Sequence, residues 1–84
     1  MTINERLKII LAFKKMSQRE FAKKTNINES QLSKLLRGKR KPLYHEIISM
    51  VDVLNIPLEC LIGKSPLFDE MLETLGEVIV SSLW

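Results

Sequence analysis

Apolar residues recur along this chain at intervals of three and four, in short segments divided by polar interruptions, and alternating strand patterns are scarce. The period predicts helices. Thr2 followed by Glu5 forms a capping-box pair ahead of Ile3, Leu7, Ile10 and Leu11, so a first helix should run to about Phe13, with Lys14-Lys15 at its negative end. Ser17 with Glu20 repeats the signal and opens a helix through Phe21 and Ala22 to about Thr25, closed by Asn26. Asn28 can cap a third helix with Leu32, Leu35 and Leu36 on its inner face, stopped by Gly38. A fourth carries Ile47, Ile48, Val51 and Leu54 and ends at Asn55. Pro57 then opens a short fifth through Leu58, Cys60, Leu61 and Ile62. Gly63-Lys64-Ser65-Pro66 reads as a stop, a cap and a restart.

The second and third helices are joined by only three or four residues, the connection of a helix-turn-helix unit. Length changes the picture little: 84 residues at 9.7 kDa fit one small domain, which buries about 60% of its unfolded surface and gains from a partner subunit. With 45% apolar and 27% charged residues, the composition is that of a folding chain. One cysteine (Cys60) excludes an intramolecular disulfide, and with one histidine (His45) it leaves too few soft ligands for a protein-only zinc site. Neither a membrane-length apolar run nor a recognisable signal peptide is present, so the expected location is cytoplasmic.

Charge is informative once it is divided. All 13 Lys and Arg fall in residues 1–64 against six acids, a net of +7, while residues 65–84 hold four acids and no base. A basic body with an acidic tail fits a polyanion-binding domain followed by a segment with another task, although uneven surface charge alone gives the same count.

Gln18 to Arg37, QREFAKKTNINESQLSKLLR, resembles the helix-turn-helix of the phage Cro and lambda-repressor-type regulators. In that pattern a Gln opens the first helix, a small residue takes the fifth position (Ala22) and a turn residue the ninth (Asn26). Aliphatics follow at the fifteenth and eighteenth (Leu32 and Leu35). The small residue permits a close helix crossing, and the aliphatics pin the second helix to the core. The resemblance continues through Gly38 and MVDVLNIPLECLIG, covering roughly residues 5–63. It implies an all-α, five-helix lambda-repressor-like DNA-binding domain over 1–64, with the helix-turn-helix at 18–37. Three positions depart from the family. Leu11 and Leu36 stand where an inter-helix Arg–Glu pair is common, an exchange that is often neutral or stabilising. Leu43 replaces the usual Ser or Thr cap of helix four, which should weaken that helix start.

Reading DNA requires groups that neutralise phosphates and groups that touch base edges. Glu29, Ser30, Ser33 and Lys34 lie off the leucine face of helix three and group on one exposed side, with Asn28 and Gln31 flanking them. The resemblance implies that Asn28, Glu29, Ser30 and Lys34 enter the major groove. There Glu29 could accept from cytosine N4, and Lys34 could donate to guanine O6 or N7. A carboxylate near phosphates is repelled unless it finds a donor, which would make Glu29 a filter against wrong bases. Phosphate contacts are expected from Gln18 at a helix N-terminus and from Arg37, Lys39, Arg40 and Lys41 beyond the recognition helix. Arg19, Lys23 and Lys24 would add field only. Tyr44 either touches a phosphate or packs against helix one. His45 has no catalytic partner set, and Cys60 reads as a buried small hydrophobe. No nucleophile–base pair, phosphate loop or metal cluster stands out, so neither an enzyme nor a cofactor is expected.

In the tail, Leu67, Phe68, Met71, Leu72, Leu75, Val78, Ile79 and Leu83 share a broad stripe if residues 66–83 are helical. Such a stripe fits a C-terminal amphipathic dimerisation segment over 65–84, built on Phe68, Met71, Leu72, Leu75 and Ile79. Docking on its own body is the alternative. Gly76 and the run Val78-Ile79-Val80 leave helix or strand open near the end. The acidic polar face disfavours a membrane surface.

The first functional expectation is a transcriptional regulator, a homodimeric repressor on double-stranded palindromic DNA. A second keeps the fold as an antitoxin whose tail meets a toxin or other protein antagonist. A third is a helical interaction module without DNA binding, against which the basic run Lys39-Arg40-Lys41 argues.

Overall fold

The computed structural model describes the backbone of residues 1–83 and the side chains of residues 1–75. Among the described residues there are six helices and no strand: α1 Ile3–Lys14, α2 Gln18–Thr25, α3 Glu29–Leu36, α4 Tyr44–Leu54, α5 Glu59–Ile62 and α6 Pro66–Leu83. Each start is tied to a nearby side chain where the sequence offers one. Thr2 Oγ1 accepts from the Glu5 N–H at 3.3 Å, and Glu5 Oε1 accepts from the Thr2 N–H at 3.1 Å, completing the predicted box. At α2 only half of the predicted box forms. Ser17 Oγ accepts from the Glu20 N–H at 3.0 Å, while the Glu20 carboxylate turns to Lys24 at 3.2 Å.

Helices α1 to α4 end alike. A left-handed residue (Lys15, Asn26, Gly38 or Asn55) follows each helix. The next residue's N–H then bonds five positions back, as Met16 to Leu11 at 3.0 Å, Ile27 to Ala22 at 3.1 Å, Lys39 to Lys34 at 2.9 Å and Ile56 to Val51 at 3.2 Å. Gly38 is the one glycine whose conformation matters here. Its φ is +76°, and a Cβ would stand 2.9 Å from Asn4 Nδ2.

The core gathers Leu7, Ile9, Ile10 and Leu11 of α1 with Phe21, Leu32, Leu35, Leu36, Met50, Leu54 and Leu61. Burying each such side chain stabilises the fold by about 1.5–3 kcal/mol. Leu11 and Leu36 are both buried in this cluster, so apolar packing takes the place of the family's ion pair. On α4 the buried face falls on Glu46, Met50 and Leu54, and Ile48, expected inside, is 41% exposed.

The tail departs most from expectation. Phe68 and Met71, assigned to contact a second copy, are 3% and 2% exposed within their own chain, where α6 packs on α1. They belong to the core because Ser65, buried at the start of α6, accepts from the Phe68 N–H at 3.3 Å and fixes the entry of the helix. Arg6 of α1 then lies 4.6 Å over the Phe68 ring and donates to the Cys60 carbonyl at 3.3 Å. Leu72 and Leu75 pack half-buried against the same cluster. The backbone stays helical through Leu83, so the strand alternative at Val78–Val80 does not form. The Ile79 side chain lies outside the described residues.

Candidate nucleic-acid interface

Helix α3 presents its polar side outward because three leucines hold the other side in the core. Leu32, Leu35 and Leu36 are buried, while Glu29, Ser30, Gln31 and Lys34 are exposed. Five of the six residues predicted to face bases (Asn28, Glu29, Ser30, Gln31 and Lys34) are therefore exposed together. The sixth, Ser33, is half-buried. Asn28 is also the helix cap, its Oδ1 accepting from the Ser30 N–H at 2.9 Å and the Gln31 N–H at 3.4 Å. That leaves its amide nitrogen as the outward group. An open groove between α2 and α3 is lined by Arg19, Lys23, Asn28 and Glu29, two cations facing one amide and one carboxylate.

The predicted phosphate contacts divide into two classes. Lys39 and Lys41 are exposed, and Gln18 stands half-buried as the first residue of α2, where backbone N–H groups have no intrahelical acceptor. Arg37 is exposed but folded back, its Nε donating to the Ser33 carbonyl at 3.3 Å. Arg40 is different. Both terminal nitrogens meet the Glu46 carboxylate in a two-pronged pair, Nη1 also donates to the Lys41 carbonyl at 3.0 Å, and Nε donates to Gln31 Oε1 at 3.1 Å. Its charge is neutralised within the protein, because a nearly buried carboxylate requires a partner. Arg40, grouped by sequence with the exposed Lys39 and Lys41 as a phosphate contact, thus differs from them in being paired within the protein.

Glu46 is the functional neighbour that sequence reasoning missed. Its carboxylate also accepts from the Leu43 N–H at 2.8 Å, supplying from inside α4 the cap that Leu43 lacks, so the predicted weak helix start is not found. The Arg40 hydrogen bonds hold the Glu46 carboxyl below the ordinary carboxylate range, against burial, which raises it, and with help from Leu43. A Glu three residues past a capless N-cap position was the available signal. Tyr44 is 76% exposed and does not pack on α1, and His45 is exposed beside it.

This arrangement of two short helices, a left-handed turn and two further helices agrees with a helix-turn-helix family model that matches residues 7–59. The chain belongs to the Cro/lambda-repressor-type helix-turn-helix family. No curated protein and no solved structure is found to match it. Membership gives the all-α fold seen here and a DNA-binding regulatory domain, with α2 and α3 as the helix-turn-helix and α3 as its second helix. Among the described residues, no helix is long and apolar enough to cross a membrane.

Proposed function

We propose that this helix-turn-helix chain is a sequence-specific transcriptional regulator that represses by occupying a palindromic operator as a dimer, with α3 in the major groove. The observation that carries the reading is the exposed set Asn28, Glu29, Ser30, Gln31 and Lys34 on a helix anchored by three buried leucines. Exposed Arg37, Lys39 and Lys41 beyond the helix supply cationic charge where a phosphate backbone would run. Two copies on one operator would set their recognition helices about 34 Å apart, one helical turn of DNA. Leu72 and Leu75, half-buried at the edge of the core, belong to the surface we assign to the second copy.

Selection of bound sites from a random duplex pool tests this reading. An enriched two-fold sequence, bound with an affinity that falls steeply with salt, is the expected result. Enrichment of single half-sites, or a chain that sediments as a monomer on and off DNA, would overturn the dimer. Weak binding without enrichment or salt dependence would overturn the regulator.

A further inference from the structure

The basic loop after α3 is built around one inward-turned charge. Arg40 points into the protein between exposed Lys39 and Lys41, and its guanidinium ties three parts of the chain together. Nε donates to Gln31 Oε1 of α3 at 3.1 Å, Nη1 donates to the Lys41 carbonyl at 3.0 Å, and Nη1 and Nη2 each meet an oxygen of Glu46 on α4. Glu46 Oε1 in turn accepts from the Leu43 N–H at 2.8 Å. The pair therefore holds the backbone on both sides of Pro42, whose ring fixes its own φ. Lys41 is caught in this clamp: its carbonyl is bonded, the residue after it is rigid, and its side chain is exposed. Among the described residues no carboxylate pairs with its ammonium. Lys39 is held by other means, through its N–H to the Lys34 carbonyl at 2.9 Å.

We propose that Arg40 and Glu46 are positioning residues for Lys41, holding its ammonium where a phosphate of the bound duplex passes, and make no contact with DNA themselves. This rests on the DNA-binding reading above. A contact group fixed before binding avoids the ordering cost that a free loop meets on association. A lysine is a point charge on a flexible stem, so what the fold can fix is the backbone that carries it. The pair carries no net charge, and its removal leaves the overall charge of the basic body as it was. A fall in salt dependence on removing it then comes either from Arg40 itself or from a group that the pair places. Replacing Lys41 distinguishes the two.

The test uses the full chain on a duplex selected from a random pool, titrated from about 50 to about 200 mM salt. Wild type, Lys41→Gln, the double variant Arg40→Met/Glu46→Gln and the triple variant are compared, with thermal melting to confirm that each is folded. The double variant strands no buried charge, and the amide at position 46 still accepts from the Leu43 N–H. Lys41→Gln should lower the slope of log affinity against log salt by about 0.9, one phosphate contact. Wild type's advantage would then be about threefold larger at the low end of that range than at the high end. The double variant should lower the slope by a similar amount with its base preference unchanged, and the triple variant should lose no more than Lys41→Gln alone. An unchanged slope in a folded double variant would overturn the proposal, as would an unchanged slope in Lys41→Gln. A further fall in the triple variant would make Arg40 itself a phosphate contact and overturn it too. Should the double variant melt below the assay temperature, Arg40→Lys takes its place, keeping a cation beside Glu46 but losing the fork. A loss that disappears once Lys41 is replaced is again expected, and no loss in Arg40→Lys would overturn the positioning role. In each of these cases salt-dependent binding by wild type leaves the DNA-binding function standing, whereas its absence removes both.

Discussion

Helices α3 and α6 carry similar amphipathic patterns yet are held by different means. Helix α3 is fixed locally, by the Asn28 cap and three leucines within its own eight residues, and leaves its polar side free. Helix α6 is fixed at long range, by Arg6 over Phe68 and by the packing of Phe68 and Met71 against α1, more than fifty positions earlier in the chain. Periodicity reports that a face is covered. It does not report what covers it, and in α6 the cover is the chain itself.

The sharpest way to break the comparison is to remove the ring that ties α6 to α1. Phe68→Ala should destabilise the monomer by about 3–5 kcal/mol, read from urea unfolding at several protein concentrations. A loss that vanishes on dilution would return Phe68 to an interface between copies. By the same packing, cutting the chain after Lys64 should expose the face of α1 that α6 covers and unfold the body.

The next effect concerns the anchor beneath α3. Glu46→Gln should cost about 2 kcal/mol near neutral pH by weakening charge-assisted hydrogen bonds to Arg40. The sign with pH follows from the lowered carboxyl. The pair's contribution is present above the unfolded value near 4.5 and is lost as pH falls through the lower folded value. Wild type should therefore lose its advantage over the variant as unfolding is followed from about pH 5 to about pH 2. A constant difference across that range would refute the linkage.

On the exposed face of α3, the effect should move from stability to recognition. Lys34→Ala should leave the melting point nearly unchanged while weakening specific binding by about 1–3 kcal/mol at one base pair per half-site, measured by titration of variant duplexes. Equal loss on every sequence would reassign Lys34 to phosphate. Smallest is the cap: Asn28→Ala should cost about 1 kcal/mol of stability and Asn28→Ser much less, by thermal unfolding.

Much of this fold was legible because its signals are local. Thr2 with Glu5, Asn26, Asn28 and Gly38 announce helix ends within a few residues of where they act, and the leucine spacing of α3 names its buried side. The exposed members of the candidate site were legible for the same reason, since a residue off a buried stripe faces solvent. Arg40 was not. Its charge placed it with Lys39 and Lys41, and only the fold brings Glu46 and Gln31 to either side of its guanidinium. Phe68 and Met71 were misassigned because a wide stripe on a short chain fits a second copy and the chain's own α1 equally well. Ile48 was misplaced because it lies across the helix from Met50, two residues on, which takes the inward position.

The four matched helix ends have a dynamic consequence. In α1, α2 and α4, the residue after the left-handed position and its bonding partner are both apolar, as Met16 over Leu11, Ile27 over Ala22 and Ile56 over Val51. In α3 the same two places hold Lys39 and Lys34, so the hydrogen bond closes over two like charges with no hydrophobic seal. The Lys39 amide should exchange with deuterated solvent fastest of the four, opening locally without global unfolding. A polyanion laid across both ammonium groups would remove their repulsion and slow that amide selectively. The end of the recognition helix would then be the part of the body that DNA itself finishes folding.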